Sequence, residues 1–195
     1  VSYADFQQVN ISNPATYSTF KKNNPVYDLG ITGKFSNYRA ETNGEINTSQ
    51  GNNFSLNNML IGLPITKRCG VTFGILPYST VGYDISSNTL LSNDTVTYNY
   101  RGDGSINRIL LGTGIDMINN GDTTRFSMGV NASYVFGTLN RNNSVIFQEG
   151  SFYNTRVQNK MTLSGFSFDA GIHFYQEIQG KAENDKWTYQ LGATQ

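Results

Sequence analysis

The sequence predicts an all-β protein and, within that class, the wall of a transmembrane antiparallel β-barrel. Three observations predict it. Apolar residues recur with a period of two in seven successive stretches, the side-chain period of a strand and not of a helix. One face of these stretches is apolar and nearly free of charge, and the other is small and polar. Such a wall can stand between lipid and a watery or plugged lumen. Finally, short links alternate with longer polar ones, as periplasmic turns alternate with extracellular loops in outer-membrane barrels.

Composition narrows the field further. The chain has 195 residues, with 14 Lys and Arg against 14 Asp and Glu, so its formal net charge is zero. With no basic excess to neutralise phosphates, nucleic acid is not an expected partner. One Cys excludes a disulfide scaffold and any Cys-based zinc site. No apolar run reaches the roughly 18–20 residues of a membrane-spanning helix. Tyr and Phe number 12 each, too many aromatics for a disordered chain. The 24 Asn and 20 Gly supply turns, loops and a polar inner face. No phosphate loop, catalytic carboxylate pair or metal-ligand cluster is present, so neither an enzyme nor a cofactor is expected.

The first alternating stretch is 26–40, with Tyr27, Leu29, Ile31, Gly33 and Phe35 opposite Asp28, Thr32 and Lys34. In 53–65, Phe54 and Leu56 share a phase, then Met59, Ile61 and Leu63 take the other after Asn57-Asn58. A shift by one residue is what a β-bulge produces. The third stretch, 71–85, reads Val71, Phe73, Ile75, then Val81, Tyr83, Ile85, with Pro77 between. Proline is held in sheets only at edges, strand starts or bulges. The fourth, 95–117, has Val96, Tyr98 and Tyr100, a break at Gly102-Asp103-Gly104, then Ile109, Leu111, Ile115 and Met117.

The fifth, 125–138, is the cleanest. Phe126, Met128, Val130, Ala132, Tyr134 and Phe136 face one way, and Ser127, Gly129, Asn131, Ser133 and Gly137 the other. The sixth, 155–178, runs through Val157, Met161 and Leu163, slips near Ser164, and resumes as Phe166, Phe168, Ala170, Ile172 and Phe174. The seventh carries Trp187, Tyr189, Leu191 and Ala193 on one face. Short links are expected at 66–70, 119–122 and 180–186, and long ones at about 41–52, 86–94 and 140–154. Aromatics such as Tyr27, Phe35, Tyr83, Tyr98, Phe126, Tyr134, Phe136 and Trp187 are expected at strand ends, as interfacial girdles.

The first residues carry no charged or apolar leader pattern, as in a cytoplasmic, processed or excised chain. The last strand has no partner after it, so the expectation is the N-terminal part of a longer protein.

Several segments carry a family resemblance. Asn10-Ile11-Ser12-Asn13-Pro14-Ala15-Thr16-Tyr17 is similar to the Asn-Pro-Ala segment closing an N-terminal plug. Leu60-Ile61-Gly62-Leu63-Pro64, Phe73-Gly74-Ile75-Leu76-Pro77-Tyr78-Ser79, Gly102-Asp103-Gly104-Ser105-Ile106-Asn107 and Gly129-Val130-Asn131-Ala132-Ser133-Tyr134 are similar to its strands. The chain thus resembles the outer membrane protein transport family, of the FadL and TodX type, in a divergent branch with PorV-like relatives. The resemblance implies about seven strands of a fourteen-stranded barrel in a Gram-negative outer membrane. It implies a plug or hatch at 1–25, with 26–195 as the first half of the barrel. It also implies a side opening at a kinked third strand, here Leu76, Pro77, Tyr78 and Ser79, with Asn13, Pro14 and Ala15 as the plug motif. The implied function is uptake of hydrophobic small molecules such as long-chain fatty acids. The implied surroundings are membrane lipid or lipopolysaccharide. The PorV-like alternative is a non-transporting barrel subunit of a secretion or outer-membrane assembly complex, with protein partners. A further alternative, from the strands alone, is a soluble β-sandwich adhesin.

Four lesser features have plain readings. His173 and Asp169 share a phase without a nucleophile, so they are expected as a lumen-facing polar pair. Cys69 is expected in a turn beside Lys67 and Arg68, as an inert thiol. Arg101-Gly102-Asp103 spells an adhesion tripeptide that arises readily by chance in a Gly-rich break. Asn53-Phe54-Ser55 is a glycosylation sequon without meaning in a bacterium.

Overall fold

The computed structural model describes residues 7–42, 45–91, 94–120, 123–148, 152–179 and 186–195. A short 3-10 helix, Pro14–Thr19, precedes seven strands. They are β1 (Val26–Thr42), β2 (Glu45–Pro64), β3 (Cys69–Leu91), β4 (Asp94–Asn119), β5 (Thr124–Phe147), β6 (Thr155–Gln179) and β7 (Lys186–Thr194). All seven form one sheet in chain order, each strand beside its sequence neighbours. That is the meander of an up-and-down barrel wall and not a Greek key. The β1–β2 ladder is antiparallel from Val26↔Gly62 to Thr42↔Glu45. The β6–β7 ladder is antiparallel from Gly171↔Thr194 to Gln179↔Lys186.

Most of the expected strand pattern is realised. The predicted bulge lies at Asn57, because Gly30 pairs with Asn58 while Ile31 pairs with Leu56. The displaced carboxamides are held across the pair. Asn57 Nδ2 donates to Thr32 Oγ1 at 2.6 Å, and Asn58 Nδ2 donates to Asp28 Oδ1 at 2.6 Å.

The long links are corrected. The segments 41–52, 86–94 and 140–154 are mostly strand, because β1, β2, β3 and β5 extend into them. These extensions are rich in Asn, Ser and Thr on both faces, so ladder pairing there leaves no apolar alternation to read. Residues 43–44, 92–93 and 149–151, and 121–122 and 180–185 of the short links, lie outside the described residues. Strands β1 to β6 span 17 to 26 residues, against the about 9–11 that a tilted strand needs to cross a bilayer.

Two face assignments also change. β4 runs unbroken through Gly102-Asp103-Gly104. In β3, Phe73 is exposed, whereas Val81 packs on a buried cluster and Tyr83 lies against Gly102. Val81 thus turns toward a buried cluster, while Tyr83, with its ring against Gly102, stays 37% exposed. A Pro, which offers no N–H to the ladder, stands between Phe73 and Val81.

The polarity of the faces is the main architectural fact. Along β5, Ser127, Asn131 and Ser133 are at most 1% exposed, while Met128 and Val130 are 43% and 55% exposed. On β6, Phe166 and Phe168 are about three-quarters exposed, and His173 is buried. A soluble sandwich buries the opposite set. The outward stretches from Tyr27 to Phe35, Ile109 to Met117 and Phe126 to Phe136 carry no charge. Each has the length of a membrane-crossing strand.

The chain divides into two compact units. The first comprises Val1–Leu76, Leu110–Ala132 and Phe168–Gln195. Its core is Val9, Tyr17, Phe20, Val26, Leu60, Leu76 and Leu110, with Ile11 packed against it. The second comprises Pro77–Ile109 and Ser133–Ser167, with a core of Ile106, Val135 and Leu139 and Val81 beside it.

In the second unit, Gly104 and Gly137 hold positive φ values of +125° and +155° on adjacent strands. A Cβ at Gly104 would overlap the Thr138 carbonyl oxygen, and one at Gly137 the Ser105 carbonyl oxygen. Glycine pairs of this kind let a sheet bend sharply. Gly104→Val and Gly137→Val are each expected to cost about 1–3 kcal/mol from backbone strain. In the full-length protein, both variants should lose the heat-dependent gel mobility shift at a lower temperature than the wild type. Gly82→Val, in open space, should not.

Candidate functional site

The candidate site is the inner face of the first unit, where the N-terminal segment lies across the strands. Its local shape begins with Asn13. This residue caps the 3-10 helix, accepting from Ala15 N at 3.1 Å, and Pro14 follows as the first helical residue. A cap carboxamide satisfies a donor that the helix cannot, and Pro at this position gives up no needed N–H. The other end of the carboxamide anchors the segment: Asn13 Nδ2 donates to the Ile172 carbonyl on β6 at 3.0 Å.

Beyond Asn13, the buried hydroxyls turn back on the segment's own carbonyls. Thr16 Oγ1 donates to Asn13 O at 2.8 Å, Ser18 Oγ to Ala15 O at 2.9 Å and Thr19 Oγ1 to Thr16 O at 2.8 Å. Buried polar groups need such partners, since burial without one costs about 1–3 kcal/mol. Upstream, Asn131 Nδ2 of β5 donates to the Ile11 carbonyl at 3.3 Å.

Glycines of five strands make room for this segment. Asn13 sits on Gly171 of β6, and a Cβ there would also come within 2.9 Å of Pro14 Cδ. The Pro14–Ala15 peptide lies on Gly129 of β5, with Pro14 O and Ser18 N on Gly114 of β4. The Tyr17 ring rests on Gly112 of β4, and its carbonyl on Gly70 of β3. The Phe20 ring lies 2.7 Å from a Cβ built on Gly62 of β2. Tyr17 and Phe20 stack with centroids 5.9 Å apart. These glycines were not singled out from the sequence as contacts. What could have pointed to them is that Gly112, Gly114, Gly129 and Gly171 all fall opposite an apolar phase.

A second polar group lies in this unit. Asp116, with its side chain 1% exposed, accepts from Ser127 Oγ at 2.7 Å and Asn119 Nδ2 at 2.9 Å. The Arg125 Nε stands 3.5 Å from its carboxylate. This is a compensated buried charge. Among the described residues no group of three His, Cys, Asp or Glu is placed to hold a metal.

The residues expected to matter fall into two groups. Asn13, Pro14 and Ala15 are fully buried together in the segment just described. Leu76, Pro77, Tyr78 and Ser79 lie within β3. Leu76 packs in the first core, and Tyr78 is exposed. The β2–β3 ladder is antiparallel through Pro64↔Gly70 to Met59↔Ile75. His173 and Asp169 both lie in β6. Cys69 opens β3 and is not in the turn, its Sγ 3.7 Å from Thr113 Oγ1. Arg101 and Asp103 lie in β4, and Asn53 to Ser55 in β2 opposite β1.

A family model described as BamG matches residues 1–192. The match supports the coarser part of the expected resemblance, a bacterial outer-membrane-related family, and does not single out the FadL and TodX type. No curated protein and no solved structure matches the chain.

Gly129 tests how firmly the segment is seated. A Cβ there would overlap the Pro14 carbonyl carbon and the Ala15 nitrogen, so Gly129→Val should lift the segment from β5. The expected outcome is faster proteolysis within residues 7–25 and higher single-channel conductance of the full-length protein in planar bilayers. Val130→Ala, on the exposed face, should change neither.

Proposed function

This chain belongs to the BamG family, and on that premise we propose that it is a non-transporting barrel subunit of a complex that assembles or secretes outer-membrane proteins. One structural observation carries the reading: residues 13–20 lie on glycines of β2 to β6, closely enough that no Cβ would fit beneath them. A solute moving along the inner face would have to displace a segment held by Asn13, Tyr17 and Phe20. A subunit that holds or positions other proteins needs no such path. Its chemistry is recognition, with an apolar wall in lipid and polar strand extensions beyond it. The family's outer-membrane association supports the same placement.

The uptake reading retains one observation in its favour. Pro77, with no N–H to offer the ladder, lies within β3. A missing ladder donor is costly in lipid unless its neighbour faces a cavity, so such a place suits a side opening.

Depletion of the protein separates the two readings. The assembly role predicts falling levels of other outer-membrane barrels by quantitative proteomics, with recovery of those barrels by crosslinking and purification. It also predicts that Pro77→Val leaves hydrophobic-substrate uptake unchanged. Unchanged barrel levels together with impaired uptake in the Pro77→Val strain would overturn the assembly role in favour of the channel.

A further inference from the structure

The second unit contains a cavity of about 550 Å³ on its outward side. Its lining joins Asp84 of β3, Arg101 and Asp103 of β4, Asn142 of β5, and Asn154 and Arg156 beside or within β6. On β4, the outward positions Ile109 to Met117 are mostly apolar, whereas the same phase from Asn107 back to Thr95 is polar throughout. On β5 the change falls between Phe136 and Thr138. The cavity therefore occupies those parts of the strands that continue past the apolar stretches. They point away from the 65–68 and 120–123 links, which are short like periplasmic turns. With the outer-membrane placement proposed above, that is the level of outer-leaflet head groups and the layer above them.

We propose that this cavity binds the phosphorylated saccharide head group of an outer-leaflet glycolipid. Its size falls within the roughly 300–1,000 Å³ of small-ligand sites. The side chains suit that chemistry. Carboxamides and carboxylates bridge neighbouring sugar hydroxyls, and a guanidinium fork matches phosphate oxygens two at a time. Neither Arg101 nor Arg156 is committed to an ion pair among the described residues. The walls are also tied in place. Asn140 Nδ2 donates to Asp103 Oδ2 at 3.2 Å, and Phe147 N donates to Asn154 Oδ1 at 2.8 Å. Gln148 N donates to Thr95 O at 3.2 Å, and the Phe147 and Phe152 rings lie 5.2 Å apart. The proposal rests on outer-membrane placement and is independent of whether the protein assembles barrels or conducts solutes.

The test uses the full-length protein in phospholipid nanodiscs with purified lipopolysaccharide as the probe. Arg101→Gln with Arg156→Gln should weaken retention by about tenfold for each guanidinium lost. Asn142→Trp, which keeps both charges but fills the cavity, should weaken it comparably. Lys67→Gln, at the opposite end of the strands, should leave it unchanged. Chemically dephosphorylated lipopolysaccharide should bind more weakly than the intact form, and millimolar inorganic phosphate should not compete. Wild-type retention by the double Arg variant or by Asn142→Trp would overturn the proposal. So would an equal loss with Lys67→Gln, equal binding of the dephosphorylated form, or full competition by phosphate alone. A heat-dependent mobility shift equal to wild type establishes that each variant is folded.

Discussion

Residues 13–20 lie directly on the strand backbones, and that close approach is possible only where the strands carry no side chain. Gly62, Gly70, Gly112, Gly114, Gly129 and Gly171 provide the places. With backbone against backbone, Asn13 can reach a β6 carbonyl, and Tyr17 and Phe20 can join the core with Val26, Leu60 and Leu110. The small polar phase of β5 follows from the same condition. Ser127 and Asn131 are buried because Asp116 and the tightly seated segment lie over that side.

The outer face obeys a different requirement. Ladder hydrogen bonds satisfy the backbone, so the outward side chains alone decide the solvent. In β4 and β5 they are apolar over one membrane-crossing length and then become Asn, Thr, Ser, Arg and Asp along the same strand. The polar extensions give the second unit its cavity, and the apolar lengths give the first unit an exposed apolar face. Both agree with the outer-membrane-related role that membership of the BamG family suggests.

The sequence made the strands legible where buried and exposed residues alternate strictly, as from Ser127 to Val135 of β5. It also located the Asn57 bulge, since a bulge shifts the apolar phase by one. It failed where both phases are polar, so the extensions of β1, β2, β3 and β5 read as loops. It also failed at β3, where Phe73 is exposed but Val81, of the same phase, packs on a buried cluster. The Asn13-Pro14-Ala15 motif was visible as residues, whereas its bed was not. A glycine in a strand signals close approach without saying what approaches. The family was legible only coarsely for a related reason: strand alternation is shared by many barrels and does not discriminate among them.

The central claim is that the exposed apolar phase faces lipid while the buried polar phase faces inward. A single-cysteine scan across residues 126–136 of β5 tests it most directly. It uses the full-length protein with Cys69 replaced, reconstituted in lipid vesicles and labelled with an environment-sensitive fluorophore. The account predicts that labels at Met128, Val130, Ala132 and Tyr134 are quenched by bilayer-resident brominated lipid, and that labels at Asn131 and Ser133 are not. Uniform quenching by water-soluble iodide along the whole stretch, with no response to brominated lipid, would contradict it.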